Sequence, residues 1–335
     1  MIRVLVVDDS AFLRRQLTRA LESEGDIAVV GQACDGLEAQ AMAAKLKPDV
    51  ITMDVEMPRC NGLEALRAIL AQQAVAVLMI SSLTRAGADT TVEALRSGAV
   101  DFLHKGSNGT AMEWSANSDT LREKVRFWAN YNAPTRTLVK PAAAPVIDAE
   151  LLLIGCSSGG PKALSQLFDG VGRLSVPTVI AQHMPPVYTQ SLAATLDRLT
   201  ANTVREAASG ERLQAGEVWL VPGGQHGRLR RDGQAWRLDC DPAPEGEAAP
   251  SVNRLLKSAA QQHGRVLALV LSGMGRDGAQ GAEVLRAQEQ PIWVQDPADC
   301  VVAGMPGAVL KKRLQPEVLS IAQMREALIK TTLGR

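Results

Sequence analysis

The sequence carries no net charge: 36 Lys and Arg stand against 36 Asp and Glu. Such a balance leaves no electrostatic footprint for nucleic acid or for a membrane surface, so neither is expected as a partner. Paired cysteines are missing too. The five cysteines, at 34, 60, 156, 240 and 300, form no C-x-x-C pair, and an odd, scattered set points to reduced thiols in a cytoplasmic protein. No apolar run approaches the ~18 residues of a membrane span, so no direct membrane insertion is expected. The amino end, Met1-Ile-Arg-Val-Leu-Val-Val-Asp-Asp9, lacks the plan of a signal peptide, because its apolar run is short and meets two acids. Histidine is scarce. The four present, at 104, 183, 226 and 263, narrow the search for a general base. What remains is the balance of a soluble globular chain, 46% hydrophobic and 21% charged, and its 335 residues suggest two domains.

One stretch organises the reading, Leu151-Leu-Leu-Ile-Gly-Cys-Ser-Ser-Gly-Gly-Pro161. Leu151 to Ile154 read as a buried strand, 155–160 as a tight turn, and Pro161 as the first turn of a helix, where its missing N–H costs nothing. Ala163, Leu164, Leu167 and Phe168 give that helix an apolar face. Inside the turn, Gly155-Cys-Ser-Ser-Gly159 fits G-x-S-x-G, which projects a serine hydroxyl over a sheet edge near helix N–H groups able to hold an oxyanion. The competing reading is a glycine-rich loop that cradles phosphate or merely connects two elements.

The first 130 residues alternate strand and helix, which predicts a parallel, doubly wound sheet. Strands are expected at 4–7, 27–30, 50–53, 75–80 and 100–103, with helices between them and a last one over 113–129. Polar residues fall at the strand ends: Asp8 and Asp9, Asp54, Ser81, and Lys105. In an open α/β sheet that edge is where ligands bind. Three carboxylates there repel one another unless a cation sits among them, and an all-oxygen donor set suits Mg²⁺.

This half resembles the receiver domain of two-component response regulators, through Val6-Val-Asp-Asp-Ser10, Met53-Asp-Val-Glu-Met-Pro58, Asn61-Gly62 and Ser81-Ser82. The resemblance implies that Asp54 accepts a phosphoryl group from a histidine kinase. It implies that Asp8 and Asp9, with the main-chain carbonyl of Glu56, help hold Mg²⁺, and that Ser81 and Lys105 contact the phosphoryl group and signal its presence. One departure is that Gly106 follows Lys105 where receivers usually carry proline. Residues 131–149, rich in Pro and Ala, read as an extended tether.

The second half, 150–335, again predicts a parallel sheet with helices on both faces, plus a hairpin over 228–238 turning at Asp232-Gly233. Ser157, His183 and Asp277 each follow the end of an expected strand, so they can converge on one sheet edge. A serine nucleophile needs a base, and the base needs an acid to orient it. His183 leaves its strand at the place where Ser157 leaves its own and is the preferred base. His226, in a loop after Gly223-Gly224, is the second candidate. The order Ser, His, Asp differs from that of α/β-hydrolases.

These residues bring out a second resemblance, to the catalytic domain of the chemotaxis protein-glutamate methylesterase family. It rests on 155–160, Gln182-His-Met-Pro-Pro186, Gly210-Glu211, Val221-Pro-Gly223 with His226, Pro250-Ser-Val252, Leu271-Ser-Gly-Met-Gly-Arg-Asp-Gly278 and Cys300-Val-Val-Ala-Gly-Met-Pro306. It implies a Rossmann-like three-layer domain with Ser157 as nucleophile, His183 as base, Asp277 as its partner and the Met274 N–H as oxyanion donor. No cofactor is implied for the esterase. The implied substrate is a γ-glutamyl methyl ester on the cytoplasmic region of a methyl-accepting chemoreceptor, with deamidation of receptor glutamines as a second reaction. The resemblance also implies that the unphosphorylated first domain obstructs the second one's site. Departures are Ser158 in place of the usual threonine, Asn253 in place of an acid, and Glu247-Ala-Ala before Pro250 where a basic or histidine residue often stands. Two rivals remain open: a response regulator whose second domain binds receptors without catalysing, and a nucleotide-binding enzyme. The latter wants an acid after its second strand, where Gln182-His183 stands.

Overall fold

Short strands apolar on both faces alternate with amphipathic helices along the chain, so each sheet must be covered on both sides. The computed structural model describes residues 1–82, 84–105, 111–131, 146, 148–244 and 246–331, with the side chains of 111–117 left aside. The expected loop at Gly106 and nearly all of the expected tether lie outside these residues. The chain divides into two units, Met1–Asn132 and Ala133–Arg335.

The first unit runs β1 (Ile2–Val7), α1 (Ala11–Glu22), β2 (Ile27–Ala33), α2 (Gly36–Leu46), β3 (Val50–Asp54), α3 (Gly62–Gln72), β4 (Ala76–Ser81), α4 (Arg85–Ser97), β5 (Asp101–His104) and α5 (Ala111–Asn130). Its strands form one parallel sheet in the order β2-β1-β3-β4-β5. Helix starts are set locally. Ser10 accepts the Leu13 N–H, Asp35 accepts from Leu37 and Glu38, and Asn61 forms a reciprocal capping box with Glu64. Each such cap contributes about 1 kcal/mol. The chain enters at β1, steps to one side, then crosses back to β3. The crevice where the order reverses therefore opens at the carboxyl ends of β1 and β3, between Asp8 and Asp54.

The second unit runs β6 (Leu151–Cys156), α6 (Gly160–Phe168), β7 (Thr178–Gln182), α7 (Tyr188–Asp197), β8 (Thr203–Glu206), β9 (Glu211–Arg212), β10 (Glu217–Leu220), β11 (Gln225–Asp232) and β12 (Ala235–Pro242). It continues with α8 (Val252–Ala260), β13 (Val266–Val270), α9 (Ala279–Arg286), β14 (Ile292–Gln295), α10 (Gly304–Lys311), β15 (Glu317–Leu319) and α11 (Ile321–Lys330). Seven strands form a parallel sheet, β15-β14-β13-β6-β7-β10-β8. The hairpin is longer than the sequence suggests, and β11-β12-β9 make a separate antiparallel sheet. Its inner face, Leu229, Trp236 and Leu238, joins the core cluster that holds α8 against the main sheet. Here the order reverses between β6 and β13, which places the crevice beside the turn at Ser157.

Candidate active site

Strand register brings the expected residues together. β6 and β7 pair Gly155 with Ala181 and Cys156 with Gln182, so the next residues, Ser157 and His183, leave the sheet side by side. Adjacent strands lie about 4.8 Å apart. The His183 N–H donates to Cys156 O at 3.1 Å, and the Gln182 side-chain amide donates to both Ser157 O and His183 O at 3.0 Å. That amide ties the two turns to each other. It also explains Gly160, since a Cβ there would come within 1.9 Å of Gln182 Oε1. On the other side, β13 pairs with β6, and the Ser157 N–H donates to Ser272 O at 3.0 Å.

Asp277 comes from the loop after β13. Its Oδ2 lies 2.8 Å from His183 Nε2. The carboxylate also accepts from the N–H groups of Val252 at 2.7 Å, Asn253 at 2.8 Å and Gly278 at 2.9 Å, and from the Ser251 hydroxyl at 3.3 Å. The amino end of α8 is thus its seat, where free N–H groups and the helix dipole favour an anion. Burial works against the charge, but the His183 hydrogen bond and charge, with the Asn253 and Val252 amides, win, and the carboxyl is held below its ordinary 3.8. A carboxylate that accepts this many N–H groups is ionised, so His183 Nε2 is the donor in this contact and Nδ1 is left unengaged by Asp277. Among the described residues, no hydrogen bond joins the Ser157 hydroxyl to the imidazole. Such contacts often close only when substrate is bound.

The Met274 loop is fixed by its neighbours. The Gly273 N–H donates to Val302 O at 3.0 Å, and Gly273 O accepts from Met305 at 2.8 Å. A Cβ at Gly273 would lie 3.0 Å from Ser157 Cβ, so this backbone packs directly on the serine. The Met274 N–H finds no acceptor among the described residues. Cys156 precedes the serine but is fully buried, and burial pushes its thiol far above the usual range, so it is no competing nucleophile. The second candidate base, His226, has both nitrogens engaged elsewhere: Nδ1 accepts the Ser251 N–H at 3.1 Å and Nε2 lies 3.2 Å from Glu247 Oε2.

In the first unit, Asp8 and Asp54 are buried and Asp9 is exposed, and their carboxylate oxygens lie within 4.8 Å of one another. Lys105 Nζ stands 2.6 Å from Asp54 Oδ2 and 3.0 Å from Asp8 Oδ2. Burial raises the Asp54 carboxyl, Lys105 opposes this and Asp8 adds to it, leaving the group pushed up to about 6. Burial likewise works against the Lys105 charge, but attraction to Asp54 and Asp8 outweighs it and holds the amine above 10.5. Asp8 Oδ2 is buried with no aligned hydrogen-bond donor. Three carboxylates clustered around the Lys105 ammonium make an all-oxygen donor set that fits a hard divalent cation such as Mg²⁺. Glu56 follows β3 and its N–H reaches Asp54 Oδ1 at 3.4 Å. The Ser81 hydroxyl lies 3.2 Å from Ser82 O and 3.3 Å from Gly87 O and accepts the Thr91 hydroxyl at 2.8 Å, so it faces α4.

Comparison with known proteins agrees with both halves. The family described as CheB methylesterase matches residues 152–328, and the response regulator receiver domain matches residues 4–114. A protein-glutamate methylesterase/protein-glutamine glutaminase of Thermotoga maritima is 39% identical over 337 residues, covering 98% of each chain. The chain belongs to the CheB methylesterase family. A relative of the same description from Xanthomonas campestris pv. campestris is 39% identical over 98% of this chain and 96% of its own length. The crystal structure of the Thermotoga maritima CheB methylesterase catalytic domain matches 55% of this chain and 99% of that one, with 32% identity and a TM-score of 0.52. The expected α/β organisation, a receiver followed by a methylesterase domain, is therefore that of this CheB-family chain.

The structure also shows what this chain does at its two departures beside α8. Asn253 Oδ1 accepts the Gly281 N–H at 2.8 Å, a helix-to-helix tie. Glu247 takes Arg254 Nη2 at 2.7 Å and His226 Nε2 at 3.2 Å, so the exposed loop before Pro250 closes on the helix through a carboxylate. Ser251 caps α8, and sequence reasoning misses that the same helix end seats Asp277. The available signal is a capped helix in a domain with an acid to place. Gln182 stands out in the sequence only as the neighbour of His183. Its amide clamp is invisible there, because finding it needs the strand register.

Proposed function

We propose that this protein is a phosphorylation-activated serine esterase that hydrolyses γ-glutamyl methyl esters on the cytoplasmic region of methyl-accepting chemoreceptors and deamidates receptor glutamines. The observation that carries the reading is the 2.8 Å contact of His183 with Asp277, set in register beside Ser157 at the point where the sheet order reverses. The relatives' names supply the substrate class. His183 Nδ1 takes the Ser157 proton as Oγ attacks the ester carbonyl, and the Met274 N–H receives the developing oxyanion. Methanol leaves with the proton from Nδ1, forming an acyl-serine. Water, deprotonated by Nδ1, attacks that ester and releases the glutamate carboxylate and the free serine. With a glutamine side chain, ammonia leaves in place of methanol.

In the receiver, Asp54 accepts a phosphoryl group from a histidine kinase. Asp8, Asp9 and Asp54, with the Glu56 carbonyl, would hold Mg²⁺, which supplies charge neutralisation for phosphoryl transfer. The raised Asp54 group and the close clustering of the three carboxylates support this reading. Ser81, now turned to Gly87 and Thr91, and Lys105, now paired with Asp54, are the groups that would re-partner with a phosphoryl group. The test is methyl release from a methylated receptor fragment by the full chain and by residues 146–335, each with and without beryllofluoride and Mg²⁺. The full chain alone should respond, and Asp54→Asn should abolish the response. Equal rates in all four samples would remove phosphorylation control from the reading.

A further inference from the structure

The esterase chemistry leaves one buried imidazole unused. His226, near the start of β11, is 5% exposed. Its Nδ1 accepts the Ser251 N–H at 3.1 Å, so that nitrogen is unprotonated, and Nε2 faces Glu247, itself neutralised by Arg254. Ser251 is the residue from which the seat of Asp277 springs: its own hydroxyl and the next two N–H groups, of Val252 and Asn253, all bind that carboxylate. The Ser251 N–H precedes the first helical residue and has no intrahelical acceptor. The imidazole supplies one.

We propose that His226 is a positioning residue for the esterase. By accepting the Ser251 N–H it fixes the amino end of α8, and through that end the Asp277 carboxylate and the His183 ring. The proposal rests on the reading of Ser157, His183 and Asp277 given above. Its physical basis is that a helix N-terminus holds an anion only where its amides point. A turn of the Ser251 peptide swings the Val252 amide, and the acid moves with it. Reacting groups displaced by ~1 Å can lose roughly 100-fold in rate.

Two variants separate this role from simple packing. In His226→Asn the side-chain oxygen sits where Nδ1 did and can still accept from Ser251, while contact with Glu247 is lost. In His226→Gln the amide reaches the Nε2 position and keeps Glu247, but the acceptor for Ser251 is lost. Full-chain protein is assayed for kcat and KM of methyl release, with Ser157→Ala in parallel. His226→Gln should lose roughly 10- to 100-fold in kcat at nearly constant KM, and His226→Asn should stay within about threefold of the parent. Equal losses in both, loss confined to His226→Asn, or parental rates in both would each overturn the proposal. An active Ser157→Ala would instead overturn the reading of the site itself, whatever the His226 variants do.

Discussion

Asp54 and Asp277 occupy the same kind of place, the carboxyl edge of a parallel sheet where the strand order reverses, yet their surroundings drive them in opposite directions. Asp54 is 3% exposed, receives one long amide contact from Glu56, and shares its hollow with a second carboxylate and a lysine. Its carboxyl is pushed up to about 6. Asp277 receives three main-chain N–H groups, a hydroxyl and an imidazole, and is held below 3.8. Burial opposes the charge in both, so burial does not decide the outcome. The supply of donors does. Asp54 is left electrostatically incomplete, which suits a group that takes up a cation and a phosphoryl group. Asp277 is completed by its own chain, which suits a group whose work is to hold another still. Shifting a carboxyl from 3.8 to about 6 is worth roughly 3 kcal/mol, comparable to a sizeable fraction of a domain's stability.

The comparison can be broken at several points. The largest expected effect lies beside Asp277, at the proposed nucleophile. Ser157→Ala should lower methyl release on the order of 10⁴- to 10⁶-fold with unchanged circular dichroism, and Ser158→Ala should cost far less. Were Ser158→Ala the inactive one, the nucleophile would need reassignment.

Asp277→Asn should lower kcat by about 10³- to 10⁴-fold, because the ring loses its orienting charge and the amides lose their anion. The same variant tests the sign of the shift. A group held below its unfolded value stabilises fully at neutral pH, and that contribution is lost as pH falls through the native value. The melting-temperature gap between parent and variant should therefore narrow in acid. A gap that widened below pH 4 would mean that the seat does not favour the carboxylate.

Asp54→Asn should act the other way. The native group keeps its proton up to about pH 6 while the unfolded one releases it near 3.8, so the native state loses stability as pH rises between these values. With chelator present at pH 7.5, the neutral amide should stabilise the receiver by about 1–3 kcal/mol. Thermal unfolding should show that gain vanishing near pH 4 and shrinking when Mg²⁺ is added to the parent. A variant less stable than the parent at pH 7.5 in chelator would show that the surroundings of Asp54 do not disfavour its carboxylate.

Much of the fold is legible in local sequence. The runs at Val4–Val7, Val50–Met53 and Leu151–Ile154 are strands because each is short and almost wholly apolar, and Ser10 and Ser251 cap helices because their hydroxyls reach amides within three residues. Elements that the sequence does not reveal are either too short or depend on distant partners. β9 has two residues and β15 has three, too few to display a period. α10, with Gly304 and Pro306 in its first turn, has only eight residues in which to show a helical period. The hairpin strands run beyond their apolar core because β11 and β12 pair cross-strand all the way to Gln225 and Pro242.

The sequence by itself determined which residues stand at the ends of strands, since that follows from local alternation and local capping. It therefore supplied Ser157, His183, Asp277 and the acids around Asp54 as candidates. Tertiary structure alone decided which atoms face one another. The Gln182 clamp depends on pairing Cys156 with Gln182 across two strands, and the seat of Asp277 depends on α8 delivering its amino end to a loop after a different strand. These are contacts between residues 25 apart in the chain. No local pattern encodes them, because register and helix placement are set by how the whole core packs.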